Sequence, residues 1–151
     1  FLSWPIAGGQ GTISQCWRGI YHNGFDIYDA DFPKVVAAAP GKVVFAGCQS
    51  GSCPPRGIGS WGGTGLAWTV AIDHGNGFST IYGHLDDIYI GSGSTVSAGQ
   101  IIGKMGRTGY ATGTHLHMML IKGSWDTWND TNPSWYFKSS TYSSHSVGIC
   151  G

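Results

Sequence analysis

The segment LAWTVAIDHGNGFSTIYGH, residues 66–84, has the pattern of a β-hairpin. Its two halves, Leu66–Asp73 and Phe78–His84, are rich in the β-branched and aromatic residues that strands favour. The tip between them, His74-Gly75-Asn76-Gly77, has the chemistry of a tight turn. The segment therefore predicts two antiparallel strands.

Further strand-like runs lie on both sides of this hairpin. Val35–Ala39 and Lys42–Ala46 flank Pro40-Gly41, which predicts a second hairpin. Ile101–Met105 and His115–Ile121 bracket a glycine-rich connection. No apolar period of 3.6 residues persists without glycine, so the sequence predicts no helix of substantial length.

The bulk composition fits a small β-domain. The chain has 151 residues, of which 41% are hydrophobic, 11% are charged and 26 are glycine, and it contains no glutamate. We therefore expect one all-β domain spanning 1–151, with a mostly antiparallel sheet.

The charge balance argues against polyanionic partners. Basic and acidic residues number eight each, so the formal net charge is zero. No field is then available to capture nucleic acid or anionic lipid, and we expect neither as a partner. No apolar run approaches the roughly 20 residues that a membrane-spanning helix needs. The protein is expected to be a monomer without a transmembrane segment.

The four cysteines indicate the compartment. Cys48 and Cys53 enclose a short polar stretch, whereas Cys16 and Cys150 lie near opposite ends of the chain. An even count at such spacings favours two disulfides and an oxidising location, and of three possible connectivities we expect Cys48–Cys53 and Cys16–Cys150. Four free buried thiols in a cytoplasmic protein are the alternative.

Histidines recur in the strand-like runs. His115 and His117 are two residues apart, so strand alternation directs both imidazoles to one face and the apolar side chains of Leu116, Met118 and Leu120 to the other. The same rule places Tyr82 and His84 together on one face. Two imidazoles side by side on a half-buried face are costly unless a polar or cationic group holds them. A metal ion is such a group.

A third element, His22-Asn23-Gly24-Phe25-Asp26, adds an imidazole and a carboxylate in what reads as a turn that leads into a strand. Two histidines and one carboxylate leave a fourth position on zinc open for water, which is the arrangement of a catalytic site. Without glutamate, the base that activates water must be another group. His84 and His115 are the best candidates, because neutral imidazole accepts protons near neutral pH.

Other hydrolytic chemistries find no support. The absence of glutamate excludes a His-Glu-x-x-His zinc site, and no Gly-x-Ser-x-Gly elbow is present. If the cysteines are paired as expected, a cysteine nucleophile is excluded as well.

The motifs occur together in a recognisable order. His22-x-Gly-x-Asp26, Ile-Asp-His-Gly-Asn-Gly-Phe, Tyr-Gly-His84-Leu and Gly-Thr-His115-Leu-His117 resemble the lysostaphin-type (M23, LytM-like) peptidases over most of the chain. The resemblance implies a small antiparallel β-sheet with loops that frame a groove. It also implies a zinc endopeptidase that cuts peptide bonds in bacterial peptidoglycan.

The resemblance also implies the role of each residue. His22, Asp26 and His117 match the family's metal ligands for one Zn²⁺ ion, and His84 and His115 match the two histidines that assist catalysis. Apart from the resemblance, the long loop Gly47–Gly65 is of a length that is more often functional than idle. Its part Gly57–Gly65, with Trp61, is a candidate wall of the groove, and Trp61 and Tyr82 are candidates for substrate contact. A secreted or cell-envelope location in a bacterium follows.

Two alternatives to this function stay open on the sequence. One is a non-catalytic LytM-like module that regulates other wall enzymes or binds the wall, although such modules typically lose ligands that this chain keeps. The other is a broader secreted protease that acts on glycine-rich proteins. His74 and His145 are expected to lie outside the site, and the aromatic tail from Gly123 onward is expected to pack over one end of the sheet.

Overall fold

A computed structural model describes residues 1–142 and 144–151 in full and residue 143 by its backbone. The strands are, in chain order, β1 (Thr12–Gln15), β2 (Phe25–Tyr28), β3 (Lys34–Val36), β4 (Gly41–Cys48), β5 (Trp61–Gly62), β6 (Trp68–Asp73), β7 (Phe78–Gly83), β8 (Leu85–Ile88), β9 (Thr95–Val96), β10 (Ile101–Met105), β11 (Arg107–Thr108), β12 (His115–Lys122) and β13 (Asp130–Thr131). One α-helical segment is described, α1 (Ser139–His145), and 3-10 turns occupy Ala7–Gly9, Gly19–Tyr21, Trp125–Thr127, Pro133–Tyr136 and Val147–Cys150.

The main sheet is antiparallel and has the strand order β1-β2-β12-β7-β6-β4-β9, with β13 paired to β12. A second sheet has the order β3-β10-β8, and β5 pairs in parallel with β11. The expected all-β, mostly antiparallel class is confirmed. The hairpin predicted for residues 66–84 is confirmed as β6 and β7, which pair from Val70 with Tyr82 to Asp73 with Ser79.

The second predicted hairpin, across Pro40-Gly41, is wrong. β3 pairs with β10 of the small sheet, whereas β4 pairs with β6 and β9 of the main sheet. The connection between β3 and β4 runs through the core and consists largely of three buried alanines, Ala37–Ala39. Their small side chains let the backbone pass from one sheet to the other, and the Ala38 amide donates to the Tyr82 hydroxyl inside the core.

The two faces of the main sheet bury different residues. Leu116, Met118 and Leu120 of β12 lie in the large core beneath the small sheet. Met119 and Ile121 point to the opposite face, where they pack in a smaller cluster with Ala71 and Ile81. Because side chains alternate between the two faces of a strand, His115 and His117 lie on the same face as Met119. The predicted separation of these histidines from Leu116, Met118 and Leu120 is therefore confirmed.

The aromatic tail packs against the main sheet, and two disulfides crosslink the chain. Trp125 packs on Phe45, and Phe137 packs on Phe25, as expected for an aromatic tail. The cysteines form Cys16–Cys150 and Cys48–Cys53, which are the two pairs expected from the sequence. Among the described residues, no helix combines the length and the apolar character needed to cross a bilayer.

The two disulfides should contribute unequally to stability. The bonded residues are 134 positions apart in Cys16–Cys150 and 5 apart in Cys48–Cys53. Because a crosslink removes more freedom from the unfolded chain when its loop is long, we expect Cys16→Ser with Cys150→Ser to cost about 4–5 kcal/mol and Cys48→Ser with Cys53→Ser about 2 kcal/mol. Urea unfolding of both double variants in chelator measures the difference. Equal losses would contradict the prediction.

Candidate metal centre

The register between β2 and β12 places a carboxylate beside an imidazole. Asp26 lies directly opposite His117, and on the other side of β12 His117 lies opposite Gly83 of β7. His117 Nδ1 is 2.7 Å from Asp26 Oδ1. Both residues are buried. The contact between these side chains, 91 positions apart in sequence, therefore follows from strand pairing.

The third member of the group comes from the segment before β2. His22 directly follows the 3-10 turn Gly19–Tyr21. Its ring is oriented by a contact of 2.9 Å between Nδ1 and the carbonyl oxygen of Cys16. Because a carbonyl only accepts, Nδ1 carries the proton in neutral His22. The other ring nitrogen, Nε2, lies 3.2 Å from Asp26 Oδ2. The predicted turn into a strand is confirmed.

Three side chains could hold a metal ion here. One ligand atom from each of His22, Asp26 and His117 lies within 4.8 Å of the other two. Two imidazole nitrogens and a carboxylate oxygen are donors that zinc prefers, and three protein ligands leave a position free for water or substrate. The donor set therefore fits the metal that the sequence predicts.

Two more histidines lie beside this group. His115 Nε2 is 3.6 Å from Asp26 Oδ2, and the ring centroids of His84 and His115 are 4.9 Å apart. His84 Nδ1 lies 2.6 Å from the carbonyl oxygen of Thr108, and His115 Nδ1 lies 3.1 Å from that of Gly113. In the neutral rings, these contacts place the protons on Nδ1 and leave both Nε2 atoms with a free lone pair.

A backbone bend brings His84 to this group. β7 ends at Gly83, and His84 adopts a left-handed conformation with φ of 61°. Tyr82 points into the large core, so the prediction that Tyr82 and His84 share a face is wrong. The left-handed residue breaks the alternation and turns the imidazole to the face that carries His115 and His117.

The histidines have different electrostatic environments. Burial by itself would raise the pKa of Asp26, but hydrogen bonds from His117 and His22 outweigh it and hold that pKa well below its usual value. The hydrogen bond with Asp26 raises the pKa of His22. Burial, with repulsion from His115 and His117, lowers the pKa of His84 to about 4. His84 is therefore neutral at pH 7.

All five predicted metal and catalytic residues line one cleft of about 490 Å³. Gly65 belongs to the predicted groove wall, whereas seven further lining residues were not identified from the sequence: Gln15, Asn23, Gln49, Leu66, Tyr110, Thr112 and Trp128. Asn23 lies inside the His22–Asp26 motif, and its Oδ1 is 2.8 Å from His117 Nε2. Its position in the motif was the available signal, whereas the others come from loops that carry no periodic pattern.

Tyr82 is not a substrate-contacting residue, and this prediction is wrong. Its side chain has no exposed surface, and its hydroxyl accepts hydrogen bonds from the Ala38 amide and the Thr80 hydroxyl. Burial raises the pKa of Tyr82 to about 12. A phenol fixed in the core between the two sheets cannot reach the cleft.

Trp61 lies on the surface but outside the residues that line the cleft. Half of its surface is exposed, and the Arg107 guanidinium stacks on its ring at 4.6 Å. Within the predicted wall Gly57–Gly65, the described residue that lines the cleft is Gly65, and Gln49 lines it from an earlier part of the same loop. The predicted wall therefore reaches the cleft at its last residue, Gly65, and not through Trp61.

The two remaining histidines have structural contacts away from the group. His74 contacts the carbonyl oxygen of Pro40 and the hydroxyl of Thr80, and burial lowers its pKa. His145 stacks on Trp4 with ring centroids 3.9 Å apart. Neither residue lines the cleft, as the sequence predicted.

Two histidines and an aspartate that could hold a metal ion beside an open cleft, with Asp26 and His117 on neighbouring strands, fit a metal-dependent hydrolase. Comparison with known proteins makes the class specific. The model of Peptidase family M23 matches residues 20–133. The chain belongs to this family.

Relatives and solved structures agree with that assignment. The chain is 34% identical over 116 residues to the DD-carboxypeptidase/endopeptidase Mpg of Neisseria meningitidis. This match covers 77% of this chain and 23% of Mpg. It is 32% identical over 140 residues to the glycyl-glycine endopeptidase ALE-1 of Staphylococcus capitis, which covers 92% of this chain and 35% of ALE-1. The chain thus spans about a third or less of these relatives.

A crystal structure of the catalytic domain of the prophage-encoded M23 protein EnpA from Enterococcus faecalis, solved for a point mutant, has the same fold. The TM-score is 0.70 at 27% identity, and the match covers 87% of this chain and 95% of that one. The lysostaphin-like fold expected from the sequence is thereby confirmed.

The glycine between the first two members of the group is required by close packing. A Cβ atom on Gly24 would lie 2.6 Å from the Met118 carbonyl oxygen and 2.7 Å from His117 Nε2. We expect Gly24→Ala to lower the free energy of unfolding by about 1–3 kcal/mol, because β2 and His117 must move apart. Urea unfolding in chelator measures this loss.

Gly91→Ala is the matched control, because no atom lies within 4 Å of the added Cβ and Gly91 has no positive φ. We expect its free energy of unfolding to stay within about 0.5 kcal/mol of wild type. Equal stability of Gly24→Ala and Gly91→Ala would show that β2 does not press on His117 as described.

Proposed function

We propose that this protein is a zinc-dependent endopeptidase that hydrolyses peptide bonds in bacterial peptidoglycan. His22, Asp26 and His117 hold one Zn²⁺ ion, and His84 and His115 assist the reaction. The protein acts as a monomer, and it is secreted or resides in the cell envelope, where its disulfides persist.

The observation that carries this proposal is the convergence of five side chains from three separate stretches of the chain on one cleft. His22 Nε2 and His117 Nδ1 both face the carboxylate of Asp26. The Nδ1 atoms of His84 and His115 contact backbone carbonyls, which leaves each Nε2 free. A structural site would enclose its ligands, whereas this one opens to a cleft that can admit a polymer.

The chemistry divides between the ion and the protein. When bound, Zn²⁺ supplies a Lewis acid that activates water and polarises the scissile carbonyl. Asp26 and the two ligand histidines fix the position of that charge. The residues of the chain must then accept one proton from water and deliver one to the leaving amine, because hydrolysis adds hydroxide to the carbonyl carbon and hydrogen to the nitrogen.

His115 and His84 are placed to carry out that transfer. Each neutral ring presents Nε2 as a base, and a ring that has accepted a proton then donates it to the amine. The protonated ring also stabilises the negative charge that develops on the carbonyl oxygen. Burial lowers the pKa of His84 and keeps the ring neutral before the reaction, so its Nε2 is available as an acceptor at pH 7.

The shape of the cleft and the names of the relatives support a wall peptide as substrate. A second cavity of about 320 Å³ shares Gln15, Asp26, Thr112 and His115 with the main cleft, so the groove continues past the metal centre. An extended peptide, not only a terminal residue, can lie along it. ALE-1 is a glycyl-glycine endopeptidase and Mpg a DD-carboxypeptidase/endopeptidase.

The metal ligands should be separable from the assisting histidines. We expect His117→Ala to lose stoichiometric zinc, because the site then keeps only two protein ligands. We expect His115→Ala to retain one zinc per chain, because His115 is not among the three ligands. Elemental analysis of both variants after gel filtration provides the measurement. Stoichiometric zinc in His117→Ala would disprove the ligand assignment.

Digestion of purified bacterial walls that differ in cross-link type tests the reaction itself. Mass spectrometry of released fragments should show new peptide termini with wild type, none with chelator, and recovery when zinc is added back. His115→Ala should slow release by at least about 100-fold while it retains zinc, because general acid–base catalysis is lost.

Other outcomes of the wall assay identify the alternatives. A zinc-loaded wild type that binds walls without releasing fragments would be a non-catalytic module. Cleavage of elastin at rates similar to those on walls would show a broader protease of glycine-rich proteins. Wild-type turnover in His115→Ala would remove that residue from the mechanism.

A further inference from the structure

Trp128 lies in the cleft in a backbone conformation that a bulky residue rarely adopts. It follows the 3-10 turn Trp125–Thr127, and its φ of 56° places it in the left-handed region. Left-handed backbone is unfavourable for any residue with a Cβ atom, and bulky side chains are uncommon there. Its side chain nevertheless lines the same cleft as His22, Asp26 and His117. Such strain persists where the surrounding structure or the function requires it.

Hydrogen bonds, aromatic contacts and cation contacts among the described residues do not account for this position. Six of the seven tryptophans have a specific partner, a hydrogen bond, an aromatic ring or a cation: Trp4, Trp17, Trp61, Trp68, Trp125 and Trp135. Among the side chains that the structure describes, none forms such a contact with Trp128. The residue is 39% exposed. An indole without an internal partner at the wall of a cleft is available to a ligand.

The other lining residues indicate the kind of ligand. Among the described residues that line the cleft, none is Lys or Arg, and Asp26 is the acidic one. Tyr110, which is 75% exposed, adds a second aromatic side chain, and Gln15 and Gln49 supply amide groups. Amides and aromatic rings bind peptide backbone and apolar groups, so these side chains suit a stretch of peptide that lies beside the metal centre.

We infer that Trp128 is a specificity-determining residue that packs against the substrate peptide beside the scissile bond. This inference rests on the proposed endopeptidase function and names the part of the substrate that the cleft recognises. Trp128 contributes to binding of the peptide and takes no part in proton transfer.

Trp128→Gly tests the inference, because glycine tolerates the left-handed backbone and removes the ring. With a soluble cross-linked muropeptide dimer as substrate, KM should rise at least about 10-fold and kcat should change less than about threefold, since a lost ring contact worth roughly 1.4 kcal/mol is a factor of ten in binding. The change in KM carries the test, because the ring is 39% exposed and its covered part also contributes to packing. A merely structural tryptophan would instead lower the midpoint and leave KM unchanged, and that result would overturn the inference.

Two further variants separate the ring from the backbone. Trp128→Phe keeps an aromatic face, so its KM should remain within about threefold of wild type. Ser146→Gly changes another left-handed residue, at the end of α1, which does not line the cleft. It should match wild type in KM and equal or exceed it in thermal midpoint. A rise of KM in Ser146→Gly as large as that in Trp128→Gly would overturn the assignment to the ring.

The wild-type control separates this inference from the proposed function. Cleavage of the dimer by wild type with unchanged KM in Trp128→Gly would overturn the role of Trp128 alone. No cleavage of the dimer by zinc-loaded wild type would overturn the proposed function as well.

Discussion

The buried carboxylate of Asp26 is the constraint on which the site depends. An ionised carboxylate in a poorly hydrated position is unstable unless several donors or a cation face it. His117 Nδ1 lies 2.7 Å from Asp26, and His22 Nε2, which donates when its ring is protonated, lies 3.2 Å away. The pairing of β2 with β12 fixes that contact, because Asp26 and His117 are opposite each other in the ladder. A shift of one residue between the strands would turn Asp26 to the opposite face of the sheet. Sheet register and site chemistry are therefore inseparable.

Other local features hold the neighbouring residues to this carboxylate. The Cys16 carbonyl orients His22, and Cys16 is itself tied to the far end of the chain through Cys150. Gly24 lets β2 lie against His117 without a side chain between them. The left-handed backbone at His84 turns its imidazole toward the group. Each feature acts on a different segment, so the geometry of the site rests on the whole domain and not on one loop.

Regular patterns account for what the sequence could predict. Strand alternation was sufficient to direct His115 and His117 to one face, and turn chemistry located the hairpin of β6 and β7. Predictions failed where one residue interrupts the alternation of a strand, or where small residues let the chain pass from one sheet to the other. The left-handed His84 invalidated the placement of Tyr82, and the buried Ala37–Ala39 segment led β3 and β4 into different sheets. Trp128 has no periodic context, so its position depended on the tertiary structure.

The environment divides chemically identical side chains into two roles. His22 lies against Asp26, and the resulting hydrogen bond raises its pKa, so a proton and a metal ion compete for the same nitrogen. His84 is buried without a carboxylate in hydrogen-bond contact, and its pKa falls to about 4, which keeps its Nε2 free. A site can obtain different roles from identical side chains when their environments shift the pKa values in opposite directions. The fold produces that difference by placing one carboxylate closer to some of the imidazoles than to others.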